Sequence, residues 1–257
     1  MISSNIPLEV KSNHELKRIL PEKKETNSAW LRRVTEDQML TEGALLLLGG
    51  SSVAHFRVRV AQSHLRFDLT PSHWSLVGVL TDHETFYSVP LEITESISEL
   101  PRINGVRKFR LADYDDPAQF PNIAVIQVTD TPDKVLTYVE RMQWQRALID
   151  LPGLILSWLG YVWCVGQKGN PLLDGEGLPS AVFAETLFGI AGIELTPGLA
   201  TTSTCPEAIW QAAKWWRSFY EEAVKLTAAT HAQVIVPRGR FALRQPLPPP
   251  VEGFESS

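Results

Sequence analysis

The apolar run from Gly43 to Gly50 constrains the fold of this chain more than any other sequence feature. Five consecutive apolar residues, Ala44 to Leu48, lie between glycines. A short apolar run bounded in this way, without alternating polar residues, is typical of a β-strand buried on both faces of a sheet. The chain has 257 residues, which is enough to bury a sizeable core. We therefore expect one domain with short additions.

Hydrophobic periodicity and turn residues divide the rest of the chain into further elements. They predict a helix at 28–40, a β-hairpin at 73–92, a strand at 123–128, a helix at 132–148, apolar residues at helical spacing from 180 to 191, and a helix at 205–230. The apolar run at 151–166 is shorter than the roughly 20 residues that span a bilayer, so we expect a buried helix and no membrane span. The predicted divisions are a helical extension at 1–40, the main domain at 41–235, and a proline-rich tail at 236–257 that is extended or disordered.

Composition and charge exclude several classes of function. A net charge of -5 provides no basic footprint for nucleic acid. The N-terminal residues contain no continuous apolar segment of the kind that a signal peptide needs, and two cysteines cannot form a disulfide framework, so we expect a cytoplasmic protein. Phosphate-loop and dinucleotide-binding motifs are absent, and the histidines at positions 55, 64, 73 and 83 lack zinc-site spacing, so we predict neither a cofactor nor a metal.

Cys205 is the candidate nucleophile. Thr204 and Glu207 have the S/T-x-x-E spacing of a capping box, and Pro206 is tolerated in the first turn of a helix. A cysteine in that turn meets unpaired N–H groups and the positive end of the helix dipole, which favour the thiolate. The alternative is that Cys205 is a small buried apolar residue. Cys164 lies in an apolar segment, and we assign it to the core.

His73 and Glu92 are the candidate base and its orienting group. If residues 82 and 83 form a two-residue hairpin turn, the numbers of paired residues sum to 165, which places His73 opposite Glu92. Opposed residues project to the same face with Cβ atoms about 5 Å apart, so the carboxylate could hold one imidazole nitrogen while the other faces Cys205. The alternatives are a hydrogen-bonded histidine at a strand start and a solvated surface carboxylate. His83 is a further possible partner for His73, but its place at the turn tip favours an ordinary turn residue.

The order of these motifs resembles one known superfamily. The run from Gly43 to Leu48 is followed by Phe56, Arg59 and Ser63, then by Ser72-His73-Trp74-Ser75-Leu76-Val77-Gly78, and more than 100 residues later by Cys205-Pro206-Glu207-Ala208-Ile209. This order is similar to the circularly permuted branch of the NlpC-like papain superfamily, in which the histidine-bearing strand precedes the cysteine. Ala44 stands where that family has aspartate, and Pro206 where it has serine.

The resemblance implies a permuted papain-like α+β fold, with an antiparallel sheet or small barrel packed against helices. It implies a cysteine hydrolase of an amide bond, with Cys205 as nucleophile, His73 as base and Glu92 as the orienting residue. Its substrate would be a peptide, another amide or an acyl compound, and the intermediate an acyl-enzyme thioester. Two alternatives stay open. One is a catalytically silent module that engages a protein partner through its proline-rich tail and its tryptophans at 158, 163, 210, 215 and 216. The other is a lipid-directed acyltransferase.

Overall fold

A computed structural model describes residues 16–36, 42–91, 105–129, 131–144, 151–164, 168–226 and 237–244. These residues form a mixed α+β domain with a seven-stranded sheet and six α-helices. The strands are β1 (Leu16–Arg18), β2 (Leu45–Gly49), β3 (Leu76–Leu80), β4 (Thr85–Ser88), β5 (Arg107–Arg110), β6 (Asn122–Gln127) and β7 (Arg238–Leu243). The helices are α1 (Asn27–Glu36), α2 (Val53–Ala61), α3 (Pro132–Trp144), α4 (Leu151–Val162), α5 (Pro179–Ile190) and α6 (Pro206–Leu226).

Strand β2, which the apolar run predicts, lies at the centre of the sheet. Its strand order is β1-β7-β6-β2-β3-β4-β5, and all neighbouring pairs are antiparallel except β1 with β7. Side chains on a strand alternate between the two faces of the sheet. Leu45 and Leu47 therefore join one core with residues of α2 to α6, while Leu46 and Leu48 join a second core with residues of α1. The prediction of a strand buried on both faces is confirmed.

Helix α5 lies at the centre of the first core. Every residue from Pro179 to Phe188 is buried, and the helix packs against β3. The Ser180 hydroxyl accepts a hydrogen bond from the Val77 N–H at 3.2 Å, which fixes the first turn of α5 on that strand.

The helices predicted from periodicity are confirmed within the described residues. They begin within one residue of the predicted starts at 28, 132, 180 and 205, and the apolar run beginning at Leu151 forms α4. The predicted strand at 123–128 is β6, shifted by one residue. In the described part of the chain, no helix is both long and apolar enough to cross a bilayer.

The predicted divisions at residues 40 and 235 do not separate the ends of the chain from the sheet. β1 comes from the predicted N-terminal extension, and β7 comes from the predicted tail. The prediction of a separate tail is wrong for 238–243, because this stretch precedes the proline-rich run at 246–250 and pairs along its whole length with β6. Residues 245–257, which contain the prolines, lie outside the described residues.

The predicted hairpin register is wrong by one residue. Val79 pairs with Tyr87 and Leu80 with Phe86, so paired residue numbers sum to 166 instead of 165. The cause is the Asp82 carboxylate, which accepts hydrogen bonds from the N–H groups of Glu84 at 2.7 Å and Thr85 at 2.6 Å and stabilises a three-residue loop. A one-residue change of register means that each residue and its predicted partner project to opposite faces of the sheet.

The corrected register removes the argument that placed His73 opposite Glu92. Extending the observed pairing would set residue 73 against residue 93, and β3 begins only at Leu76, so His73 precedes the strand. Glu92 lies outside the described residues, and its role as orienting group stays a prediction.

Candidate functional site

Cys205 lies at the N-terminus of α6, one residue before the position expected. Its carbonyl oxygen accepts the Ile209 N–H at 3.1 Å, the first hydrogen bond of the helix, so Cys205 is the N-cap residue. Its side chain is fully buried, with 0% of its surface exposed, and belongs to the first core. Solvent does not reach the thiol in this conformation.

The electrostatic environment of Cys205 favours the neutral thiol. Burial raises the pKa of the thiol to about 12, because a thiolate would lose its hydration. Hydrogen bonds from the backbone N–H groups of Ala208 and Glu207 act in the opposite direction, as expected at a helix N-terminus, but they are outweighed. The Glu207 carboxylate adds to the upward shift. The helix N-terminus therefore acts on this pKa in the expected direction, but the expectation of a lowered pKa overall is wrong because burial has the larger effect.

Glu207 does not form the predicted capping box with Thr204. Its N–H donates to the Gln62 side-chain oxygen at 2.8 Å, and the Thr204 hydroxyl accepts a hydrogen bond from Thr196 at 3.4 Å. The sequence has the spacing of a capping box, but the Glu207 N–H bonds to Gln62 and the Thr204 hydroxyl bonds to Thr196 instead.

The Glu207 carboxylate is the centre of a buried polar network. Although its side chain is completely buried, it accepts hydrogen bonds from Ser72 Oγ at 2.6 Å and from Gln211 Nε2 at 2.5 Å, and Arg66 Nη1 lies 3.7 Å away. We call Gln62, Arg66, Ser72, Glu207 and Gln211 the Glu207 network. Through it, the segment that carries His73 is fixed to the N-terminus of α6.

His73 is half-buried beside this network, and its imidazole is electrostatically unfavourable for a proton. Burial and, to a lesser extent, the nearby cations Arg66, Arg59 and Lys214 together lower the pKa of His73 to about 4. Its Nδ1 atom is buried and has no hydrogen-bond partner among the described residues. The ring is therefore neutral at pH 7, as a general base must be, but it is a weak base.

The fold brings the segments of Cys205 and His73 to the same helix end without joining their side chains. Ser72, adjacent to His73, bonds to Glu207, which is two residues beyond Cys205. In the described part of the structure, however, no hydrogen bond links the imidazole to the thiol. The predicted pair is thus neighbouring but not assembled.

Asn122 is a contact of His73 that sequence reasoning missed. Its side chain is completely buried at the start of β6, and its Nδ2 donates to the His73 carbonyl oxygen at 3.2 Å. Its Oδ1 has no hydrogen-bond partner in the described segments. The available signal was an asparagine directly before an apolar strand, but the contact with His73 depends on pairing between β2 and β6.

The assignment of Cys164 to the core is wrong. Helix α4 ends at Val162, and Cys164 lies in the turn beyond it with φ of 54°, so that its side chain is exposed. Arg57 Nη1 lies 2.7 Å from its sulfur. The apolar sequence around Cys164 suggested burial because it includes the end of α4.

The five tryptophans proposed for partner binding separate into two groups. Trp158, Trp210 and Trp216 are buried in the first core, whereas Trp163 and Trp215 are exposed. Only the last two could contact a partner without a change in the fold.

A small cavity lies beside the first turn of α5. It has a volume of about 20 Å³ and is lined in part by His55, Ser75, Leu76, Leu178 and Ser180. This volume holds about one water molecule, far less than a substrate pocket. Cys205 and His73 are not among its lining residues. Among the residues that the structure describes, no three His, Cys, Asp or Glu side chains are grouped as metal ligands.

Comparison of the chain with protein-family models, with curated proteins and with solved structures finds no match in any of the three. The function is therefore argued from the site alone.

Proposed function

We propose that this protein is a catalytically silent binding module, built on the permuted papain-like fold that its motifs resemble. The observation that carries the proposal is the burial of Cys205, the candidate nucleophile, with 0% of its surface exposed. A cysteine nucleophile must be ionised and accessible to its substrate, and this thiol meets neither requirement.

The pKa of Cys205 determines how much of the thiol is ionised at pH 7. With a pKa of about 12, only on the order of one thiol in 100,000 is ionised at pH 7. His73, with a pKa of about 4, would have to remove the proton, and proton transfer from such a weak acid to such a weak base is strongly unfavourable. The environment thus stabilises both groups in their neutral forms.

The position of α5 supports the same conclusion. This helix packs along β3, the strand that follows His73. Its first turn contains Pro179 and Ser180 but no cysteine, and the Ser180 hydroxyl already bonds to the Val77 N–H. The helix packed on this strand therefore contains no cysteine in its first turn, and its first-turn hydroxyl already bonds to the sheet.

A cysteine hydrolase that cleaves an amide through an acyl-enzyme thioester is the second candidate. It is favoured by the N-cap position of Cys205, which receives two backbone N–H groups, and by the bond from Ser72 to Glu207, which holds the His73 segment at the same helix end. This activity would require the start of α6 to open, and Glu92 would act as the predicted orienting group. A lipid-directed acyltransferase would use the same nucleophile and needs the same opening.

Alkylation of Cys205 by iodoacetamide separates the two candidates. Because Cys164 is exposed and would react first, the measurement uses the Cys164→Ser variant. The rate at Cys205 is followed from pH 6 to pH 9 by peptide mass spectrometry, in the native protein, in the denatured protein, and in a Cys164→Ser/His73→Ala double variant. The denatured sample gives the rate of an unprotected thiol with a pKa near 8.5.

We expect the native protein to react at least about 100-fold more slowly than the denatured one at pH 7.5, with no effect of His73→Ala, since a buried thiol reacts only when the structure opens. Fast reaction below pH 7 that is lost in the His73→Ala variant would contradict the silent module and support the hydrolase.

A further inference from the structure

Helix α4 presents an apolar face to solvent. No residue from 151 to 164 is charged. One side of the helix packs into the first core through Trp158 and Val162, as expected of a buried helix, but Leu156 is 71% exposed and Trp163 is 58% exposed. A helix that is apolar on all sides is normally buried on all sides. Large apolar side chains exposed on such a helix indicate a surface that packs against another molecule.

The exposed side of α4 alternates between glycine and a large side chain. Its four positions are Gly153, Leu156, Gly160 and Trp163, which are three or four residues apart and therefore lie along one side of the helix. The Trp163 N–H donates to the Leu159 carbonyl oxygen at 3.0 Å, so the helical hydrogen bonding extends to Trp163. Each glycine leaves a hollow between the projecting side chains. We call these four residues the α4 face.

The hollow at Gly160 is shallow but open. The nearest atoms to an added Cβ there belong to the stem of Lys168, the closest of them at 3.4 Å, which is ordinary van der Waals contact. The Lys168 ammonium bonds to the Ser157 hydroxyl at 2.8 Å, and Ser157 is buried. The stem thus borders the hollow while its charge is held at the side of the helix.

A second copy of α4 fits this pattern in one orientation. When two identical helices pack antiparallel about a two-fold axis, the numbers of facing residues have a constant sum. With the axis beside residue 158 that sum is 316, so Trp163 faces Gly153 of the second copy and Leu156 faces Gly160. Each large side chain then enters a hollow, as close packing requires. A parallel pair would instead set glycine against glycine and tryptophan against tryptophan.

The absence of charge favours the same occupant. Two copies of the α4 face can meet without burying an ionised group of the helix, so no loss of charge hydration opposes their contact. Depletion of charge and a central aromatic residue, here Trp163, are typical of the core of a protein–protein interface.

We propose that two copies of this protein associate through the α4 face, antiparallel and about a two-fold axis. Helix α4 has 12 residues and is therefore about 18 Å long, so one face of it offers less than the roughly 800 Å² per partner of a stable dimer. We expect a weak dimer with a dissociation constant of about 10–500 μM. This association goes beyond the silent module and does not depend on whether Cys205 reacts.

Sedimentation equilibrium of the full chain tests the proposal, at protein concentrations from about 5 to 500 μM. A reducing agent keeps the exposed Cys164 from forming a disulfide. Trp163→Ser and Leu156→Ala each remove a projecting side chain, and Gly160→Leu fills a hollow. The double variant Leu156→Ala/Gly160→Leu exchanges the large and the small position. Trp215→Ser is the matched control, because Trp215 is 66% exposed but lies on α6. Thermal unfolding confirms that each variant is folded.

We expect Trp215→Ser to dimerise like the wild type, and each of the three single variants in the α4 face to raise the dissociation constant at least about tenfold. The double variant should return to within about threefold of the wild type, because a small residue again faces a large one. Gly160→Leu distinguishes this packing from a nonspecific apolar surface, since an added leucine would strengthen docking on lipid or on an unrelated protein.

Three results would overturn the proposal. They are a wild type that stays monomeric at about 500 μM, a Gly160→Leu variant that associates more strongly than the wild type, and binding of the monomer to phosphatidylcholine vesicles that Trp163→Ser abolishes. The last result would assign the α4 face to a bilayer. Alkylation of Cys205 is measured separately, so failure of either proposal leaves the other intact.

Discussion

Replacement of Glu207 by alanine tests whether the buried network holds the His73 segment against α6. The carboxylate accepts two short hydrogen bonds, from Ser72 at 2.6 Å and from Gln211 at 2.5 Å, and lies 3.7 Å from Arg66. A hydrogen bond to a charged group contributes about 1.5–3 kcal/mol. Breaking a buried charged interaction on one side costs about 3–5 kcal/mol, because the remaining partner is left without its counter-charge.

We therefore expect Glu207→Ala to lower the free energy of unfolding by about 3–5 kcal/mol. For a chain of this size, 1 kcal/mol corresponds to about 2–4 °C in Tm, so the loss in Tm is about 6–20 °C. Glu207→Gln keeps the shape and removes the charge, and it should fall between wild type and alanine. Urea denaturation followed by circular dichroism gives the free energies, with an unchanged m-value as evidence that the unfolded state is the same.

Glu84→Ala is the matched control for this measurement. Glu84 also contacts an arginine, Arg32, at 3.3 Å, but its side chain is 76% exposed, and exposed ion pairs contribute about 0–1 kcal/mol. If Glu207→Ala were no more destabilising than Glu84→Ala, the network would not fix the helix end, and the structural basis for placing His73 near Cys205 would be refuted.

Two further predictions concern the same region. Gly49→Ala should lower the free energy of unfolding in urea by at least about 2–3 kcal/mol, because an added Cβ would lie 1.9 Å from the His73 carbonyl oxygen. Gly189→Ala is the control: an added Cβ there has no atom within 4 Å, and the change should stabilise α5 by about 0.5–1 kcal/mol. The reverse order of the two stabilities would contradict the close packing of β2 on the His73 segment. Because the pKa of His73 is lowered in the folded protein, its contribution to the free energy of unfolding should be fully present above pH 6.5 and be lost as pH falls toward 4, since the unfolded state takes up the proton first. His73→Gln should flatten this pH dependence of stability. An imidazole of His73 that titrates near 6.5 by NMR in the folded protein would show the reasoning to be wrong.

Local patterns in the sequence predict the core of the fold well. The unbroken leucines of β2 predict a strand buried on both faces, and the apolar spacing from residue 180 predicts the helix that the structure has as α5. The strands β1 and β7 are not predictable in the same way. β1 is only three residues long, and it pairs with a strand more than 200 residues away along the chain. Such pairing depends on the assembled sheet and leaves no local signal.

The candidate site was predicted in part from the sequence, and the errors in that prediction have identifiable physical causes. Sequence reasoning located Cys205 at a helix start, but it placed His73 within the hairpin, whereas His73 precedes β3. It could not locate Glu92 relative to them, because one side-chain carboxylate, that of Asp82, adds a residue to the hairpin loop and changes the register. It also could not predict the pKa of Cys205, since the helix-end effect is local whereas burial depends on the whole first core.

The central strand β2 links the two halves of the molecule energetically. Leu45 and Leu47 pack under four or more helices on one side, while Leu46 and Leu48 pack against α1 on the other. Detachment of either helical layer would expose two leucines of a strand that the opposite layer still holds. We therefore expect the two helical layers to unfold together in a single cooperative transition.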